Sequence, residues 1–164
     1  WALAKEGRSY FTSDEPTADE LPAIALSELS PAGSGPSWIE IINLGEKAAN
    51  LEGCVLSRRG LQESELVLPA ESLEPQGRRV FSEAQLGFVL EEGDRLFICS
   101  SDRRSVLDGA LVGAGVLARH PEGDGAWLRP SRPTPGAENA CAAQEIDAHA
   151  DGLERPAAAR EEAR

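Results

Sequence analysis

The sequence predicts an all-β domain whose antiparallel strands form a sandwich or a barrel. Between residues 23 and 139, short apolar runs are separated by Gly, Pro, Asn and Ser about every 8–14 residues. The clearest run, Trp38–Ile42, alternates so that Ile39 and Ile41 share one face while Glu40 points to the other. This region contains no helix-period pattern of useful length and no internal repeat. Many short strands without intervening helices are typical of a sandwich or barrel.

The opening strand is predicted at Ile24–Leu29, and two assignments of its buried face remain open: Ile24 with Leu26, or Ala25 with Leu29. The other predicted strands are Leu51–Leu56, Glu65–Leu68, Arg78–Phe81, Arg95–Cys99, Ser105–Asp108, Gly115–Arg119 and Ala126–Leu128.

Alternation along two of these strands predicts core residues. Residues two apart in a strand share a face, which places Cys54 with Leu56 and Leu96 with Ile98. We expect both pairs to point inward. The short apolar segment Leu86–Leu90 is expected to cover one end of the core.

The two ends of the chain differ from the β region in composition. Residues 1–22 are acidic without apolar periodicity and are predicted to be a linker or the end of an upstream domain. Residues 140–164 are rich in Ala and Glu, and we predict a disordered acidic tail or linker. The chain begins at Trp1 and contains no Met, so we interpret it as a piece of a longer protein.

Charge and composition narrow the classes of function. The formal net charge is −12, spread along the chain, and binding to nucleic acid through clustered Lys and Arg is therefore disfavoured. Three widely spaced cysteines and two distant histidines match neither a disulfide framework nor a zinc site. No apolar run approaches the ~20 residues of a membrane-spanning helix. We expect no cofactor, no metal and no catalytic residues.

The order of these segments resembles the lamin tail domain family, in its bacterial form. The most specific piece is Trp38–Asn43, which is similar to the family's Trp-Ile-Glu-Leu-x-Asn strand. The resemblance covers residues 23–139 and is carried further by Ile24–Leu29, Leu51–Ser57, Leu68–Ala70 with Leu73–Gly77, Gly87–Asp94, and Ala118–Asn139.

The resemblance implies an immunoglobulin-like β-sandwich without an active site. It further implies an accessory, binding or spacer module of a larger secreted or cell-surface bacterial protein, beside a catalytic domain in some members. The expected partner is a protein or a surface polysaccharide. The alternative is a nucleic-acid-binding module, as for nuclear members of the family. A carboxylate-based hydrolase is a second alternative.

Two positions depart from the family pattern. Cys54 stands where the family usually has Trp, so larger neighbours must fill the space or a void remains. Ser37 precedes Trp38 where Asp is common, and a weaker hydrogen bond is expected at that turn.

Glu28 and Glu40 are the carboxylates of greatest interest, because adjacent strands could bring them together. As a functional pair they would act as acid and base or hold calcium. As structural groups they would accept backbone N–H bonds or face water, and this is the interpretation that we favour.

The other candidate residues each have a structural interpretation that we prefer to a functional one. Trp38 and Trp127 are either stacking platforms for a sugar or peptide, or packing anchors. Asp102 and Asp108 flank a predicted hairpin and a strand end; Asp102 is a turn former, and the functional alternative is weak calcium binding through these loops. Arg58–Arg59, Arg78–Arg79 and Arg103–Arg104 are solvated strand ends balanced by Glu, or a patch for a polyanion. Cys99 and His120 lack the further groups that nucleophilic catalysis requires.

Overall fold

The computed structural model describes residues 21–33, 35–59 and 63–141, which form eleven strands and one short helix. Their bounds are β1 Ile24–Ser30, β2 Trp38–Asn43, β3 Ala49–Asn50, β4 Val55–Arg59, β5 Ser64–Val67, β6 Ser72–Leu73, β7 Arg78–Ser82, α1 Glu83–Leu86, β8 Arg95–Cys99, β9 Val106–Leu111, β10 Leu117–His120 and β11 Ala126–Leu128.

The strands form three antiparallel sheets. A five-stranded sheet has the order β11-β10-β1-β2-β7, and a four-stranded sheet has the order β5-β4-β8-β9. A third sheet contains only the short strands β3 and β6. The predicted all-β class with antiparallel pairing is therefore confirmed.

One apolar core joins the sheets into a sandwich. Ile39 and Ile41 of the five-stranded sheet lie in the same buried cluster as Leu56, Leu96 and Ile98 of the four-stranded sheet. All five side chains are fully buried. The alternation in β2 and β8 thus predicted the inward faces correctly, and Cys54 also packs in this core as expected.

A β-bulge in β1 resolves the choice between its two faces. The pairing with β2 shifts between Leu26 and Glu28, so Ser27 is an extra residue. Ile24 and Leu26 before the bulge and Leu29 after it all join the core. The assignment of Ile24 with Leu26 to the buried face is therefore correct up to the bulge. Leu29 faces inward as well, because a bulge reverses the facing of every later residue.

Two predicted elements need correction. The strand predicted at Leu51–Leu56 corresponds to β4, which begins only at Val55. Leu51–Cys54 instead form a turn in which Gly53 has a φ of 75°. The segment after β7 contains a one-turn helix, α1, that alternation did not predict. Ser82 and Gln85 form a capping box at its start. Leu86, Phe88 and Leu90 are buried in the core cluster, as expected for a cover over its end.

The predicted N-terminal linker (residues 1–22) and acidic tail (residues 140–164) lie almost entirely outside the described residues. Within the described ranges, no helix has the length and hydropathy needed to cross a lipid bilayer.

Candidate functional site

Glu28 and Glu40 face each other across neighbouring strands. They are direct partners in the β1–β2 register, on the face of the five-stranded sheet opposite Ile39 and Ile41. Both residues are completely buried. The expectation that adjacent strands bring the two carboxylates together is confirmed.

Both carboxylates accept backbone N–H groups from a segment that returns across the sheet. The N–H of Thr134 donates to the two oxygens of Glu28 at 3.1 and 3.0 Å. The N–H of Gly136 donates to Glu40 Oε2 at 2.5 Å. We call Glu28 and Glu40 the carboxylate clamp, because together they fix the Thr134–Asn139 segment over the sheet.

Asn139 anchors the far end of that segment. Its buried side-chain amide donates to the carbonyl and the hydroxyl of Ser27, both at 3.0 Å, and to the carbonyl of Arg119 at 3.1 Å. Its N–H donates to Glu122 at 3.1 Å. Glu122 in turn forms a salt bridge with Arg78. Ser27, the extra residue of the bulge, therefore accepts hydrogen bonds from a residue at the C-terminal end of the domain.

The clamp concentrates negative charge around one cation. Arg78 Nε lies 3.9 Å from Glu40 Oε1, which has no hydrogen-bond partner among the described residues. Burial, and then the charges of Glu40 and Glu122, raise the pKa of Glu28 to about 7, although the hydrogen bonds from Thr134 oppose this. Burial also raises the pKa of Glu40, against the bond from Gly136 and the charge of Arg78. The clamp therefore favours a protonated carboxyl at mildly acidic pH.

This protonation makes the domain more stable below neutral pH. The folded pKa of Glu28, about 7, lies above its ordinary value of 4.5, so the folded state binds more protons between these pH values. The free energy of unfolding should be highest near pH 4.5 and fall by on the order of 2–3 kcal/mol by pH 7. Urea denaturation at a series of pH values measures this slope.

Two substitutions test whether this pH dependence of the free energy of unfolding arises from the carboxylate clamp. Glu28→Gln keeps an oxygen acceptor for Thr134 but cannot ionise, so most of the slope should disappear. Glu65→Gln is the control, because ion pairs with Arg103 and Arg59 lower the pKa of Glu65 and confine its effect to a more acidic range. If the free energy of unfolding of Glu28→Gln changes with pH as much as that of the wild type, the clamp is not the source of the pH dependence.

Glu28 and Glu40 line neither of two surface clefts among the described residues, one beside Trp127 and one beside Asn43 and residues 45–50. The Thr134–Asn139 segment covers both carboxylates. The described residues also contain no group of three or more His, Cys, Asp or Glu side chains able to hold a metal ion. The geometry matches the structural interpretation of Glu28 and Glu40, as acceptors of backbone N–H groups.

A separate surface cleft of about 800 Å³ lies where β1, β9 and the β10–β11 hairpin meet. We call it the Trp127 cleft. It is lined mainly by apolar side chains, with a smaller number of charged ones, among them Leu44, Leu107, Asp108, Arg119, Asp124 and Trp127. Such a mixture is common in ligand sites, where apolar walls surround a few fixed polar groups.

Arg119 and Asp108 form the rigid floor of this cleft. The Arg119 guanidinium lies 2.9 Å from Asp108 Oδ2 and 4.6 Å from the centre of the Trp127 ring. It also donates to the carbonyl of Gly123. Asp108 Oδ2 accepts the N–H of Leu26 at 2.8 Å, which ties β9 to β1. Asp108 therefore bridges the two sheets from the interior of β9, which its place at the end of the predicted strand Ser105–Asp108 did not indicate.

The loop that forms one wall of the cleft depends on glycine. Gly123 has a φ of 100°, and a Cβ there would lie 2.9 Å from the Leu44 side chain. A Cβ on Gly125 would lie 2.0 Å from the carbonyl oxygen of Pro121. Larger residues at either position would displace the loop that carries Asp124.

Trp127 and Trp38 differ in their surroundings. Trp127 packs against the core and stacks on Arg119, so it is both a packing anchor and part of a cleft wall. Trp38 is half-buried at the start of β2 and lines neither described cleft.

Neither Asp102 nor His120 lines the Trp127 cleft. Asp102 shapes the β8–β9 turn by accepting bonds from the Ser100 hydroxyl and the Arg104 N–H, as predicted for a turn former. His120 ends strand β10 and does not lie in a loop.

Arg58 departs from the expectation of solvated strand ends. It is buried, donates to the carbonyl of Val89 at 2.6 Å and lies 3.6 Å from Asp94. The expected balance by Glu holds for four of the other arginines: Arg59 pairs with Glu63 and Glu65, Arg78 with Glu122, Arg79 with Glu71, and Arg103 with Glu65.

Ser37 and Cys54 are the two residues singled out above as departing from the lamin tail pattern that the sequence resembles. Ser37 donates to Glu83 through both its N–H and its hydroxyl, and the hydroxyl accepts the N–H of Leu90. Ser37 thus takes part in three hydrogen bonds at this turn. Cys54 is buried and forms no disulfide with the half-buried Cys99.

A scan of the sequence against models of known protein families finds no match, and a search among curated proteins finds none either.

Proposed function

We propose that this chain is an immunoglobulin-like domain of the lamin tail type that serves as a non-catalytic binding module. In this proposal it belongs to a larger secreted or cell-surface bacterial protein and binds a protein or a surface polysaccharide. The sequence resemblance over residues 23–139 supports the family. The observation that carries the binding role is the Trp127 cleft, where an aromatic ring and fixed charged groups meet.

The contacts around Trp127 favour recognition without chemistry. Arg119 holds one face of the indole ring in place, and its charge is neutralised by Asp108 at 2.9 Å. A fixed ring gains contact energy from a ligand at little cost in side-chain entropy. The exposed Asp124 leaves a negative charge on the wall. These features suit a neutral sugar ring or a peptide without excess acid.

Trp127→Ala should weaken binding by about tenfold or more, since buried aromatic groups dominate binding energies. The measurement is an array of bacterial surface polysaccharides and extended peptides, followed by calorimetry on the best ligand. Trp38→Ala is the matched control, because it removes a half-buried Trp that lines neither described cleft.

Three outcomes separate the alternatives. Loss of binding in Trp127→Ala alone supports the cleft. Equal loss in both variants, or in neither, rejects it. A gel shift with nucleic acid that weakens as salt rises would instead favour the nucleic-acid alternative.

A further inference from the structure

The outer face of the four-stranded sheet carries an exposed apolar surface. Residues of β8 and β9 that pair across this face include Cys99 with Val106 and Arg95 with Leu111. Val106 and Leu111 are 64% and 61% exposed, the two highest values among the large apolar side chains of the described residues. This face points away from the core, because Leu96 and Ile98 on alternate positions of β8 point into it.

Phe97 completes this surface. It pairs with Gly109 between the two exposed side chains. A Cβ on Gly109 would lie 3.0 Å from Cδ1 and 3.4 Å from Cε1 of the Phe97 ring, so one edge of the ring occupies the space beside the glycine. We call Phe97, Val106 and Leu111 the β9 platform. Replacing Gly109 by a larger residue would lift the ring.

Of three arginines beside the platform, two form salt bridges with glutamates and one does not within the described part of the chain. Arg59 and Arg103 on the same side of the sheet are held by Glu63 and Glu65. Arg95 is exposed, pairs directly with Leu111 and Arg59 in the sheet register, and forms no salt bridge among the described residues. An unpaired arginine thus borders exposed apolar groups in a chain whose net charge is −12.

We propose that the β9 platform binds an acidic polypeptide segment of a partner protein, with apolar side chains on Phe97, Val106 and Leu111 and a carboxylate on Arg95. Charge complementarity selects this occupant, because a carboxylate gives Arg95 the partner that it lacks. This surface is distinct from the Trp127 cleft, and its role does not depend on the ligand bound there.

The test is an NMR titration of the ¹⁵N-labelled full chain with two synthetic peptides. One is acetyl-Asp-Leu-Glu-Phe-Asp-Leu-Glu-amide, and the other has Lys at every acidic position. We expect the acidic peptide to shift the amide signals of Phe97, Gly109 and Leu111 while the basic peptide does not. The dissociation constant should rise about tenfold in Leu111→Ser and in Arg95→Glu.

Val89→Ser is the matched control, because it removes an exposed apolar side chain that lies outside the platform and should leave the dissociation constant unchanged. Equal binding of both peptides, no shift with either, or binding that survives both platform substitutions would overturn the proposal. Shifts at the same amides on concentrating the protein alone would identify a second copy as the occupant and would also overturn it.

Discussion

Leu96→Ala should lower the free energy of unfolding by about 2–5 kcal/mol, because it empties a fully buried position between the two large sheets. Leu111→Ala removes the same atoms from a side chain that is 61% exposed and should change stability by less than about 0.5 kcal/mol. Urea denaturation of the two variants measures the contrast. Similar losses in both would mean that the inward and outward faces of the four-stranded sheet are assigned wrongly.

Asn139→Ala should cost about 2–4 kcal/mol, although the residue lies close to the end of the described chain. The substitution removes three buried hydrogen bonds and leaves the carbonyls of Ser27 and Arg119 without their donor. The same denaturation experiment gives its size.

Asn50→Ala is the control for that experiment. Asn50 is exposed, and its side chain accepts the N–H of Glu52 in a surface turn. Its loss should therefore cost far less. If Asn139→Ala were as mild as the control, the segment Thr134–Asn139 would not be part of the cooperative fold.

Local patterns predicted the parts of the fold that depend on neighbouring residues. The period of two placed Ile39, Ile41, Leu96 and Ile98 inside, because each lies in an unbroken run of alternation. It failed in β1, where the bulge at Ser27 changes the facing of the strand without any sequence signal such as Gly or Pro.

The pairing of Glu28 with Glu40 was predictable and their burial was not. Consecutive strands commonly pair, so two carboxylates on adjacent strands were expected to meet. Their complete burial depends on Thr134, which follows Glu28 by 106 residues. No local pattern indicates that such a distant segment will return over the sheet.

The contacts of Arg119 at the Trp127 cleft were likewise not predictable from local sequence patterns. Arg119 lay inside a predicted strand, but its side-chain contacts come from separate elements: Asp108 and Gly109 on β9, Gly123 in a loop and Trp127 on β11. A buried arginine leaves little trace in the sequence, because the residue type is usually exposed. The one available signal was its inclusion in an apolar run, Gly115–Arg119.

Hydrogen exchange at the backbone amides of Thr134 and Gly136 tests most directly whether the carboxylate clamp is structural. If Glu28 and Glu40 hold this segment on the sheet, the two amides should exchange about as slowly as that of Ile41 in β2, which is paired on both sides. The Arg104 amide is the reference, because it also donates to a carboxylate, Asp102, but at an exposed turn. Exchange at Thr134 and Gly136 as fast as at Arg104 would contradict the account, because the segment would then open without unfolding and leave the carboxylates accessible.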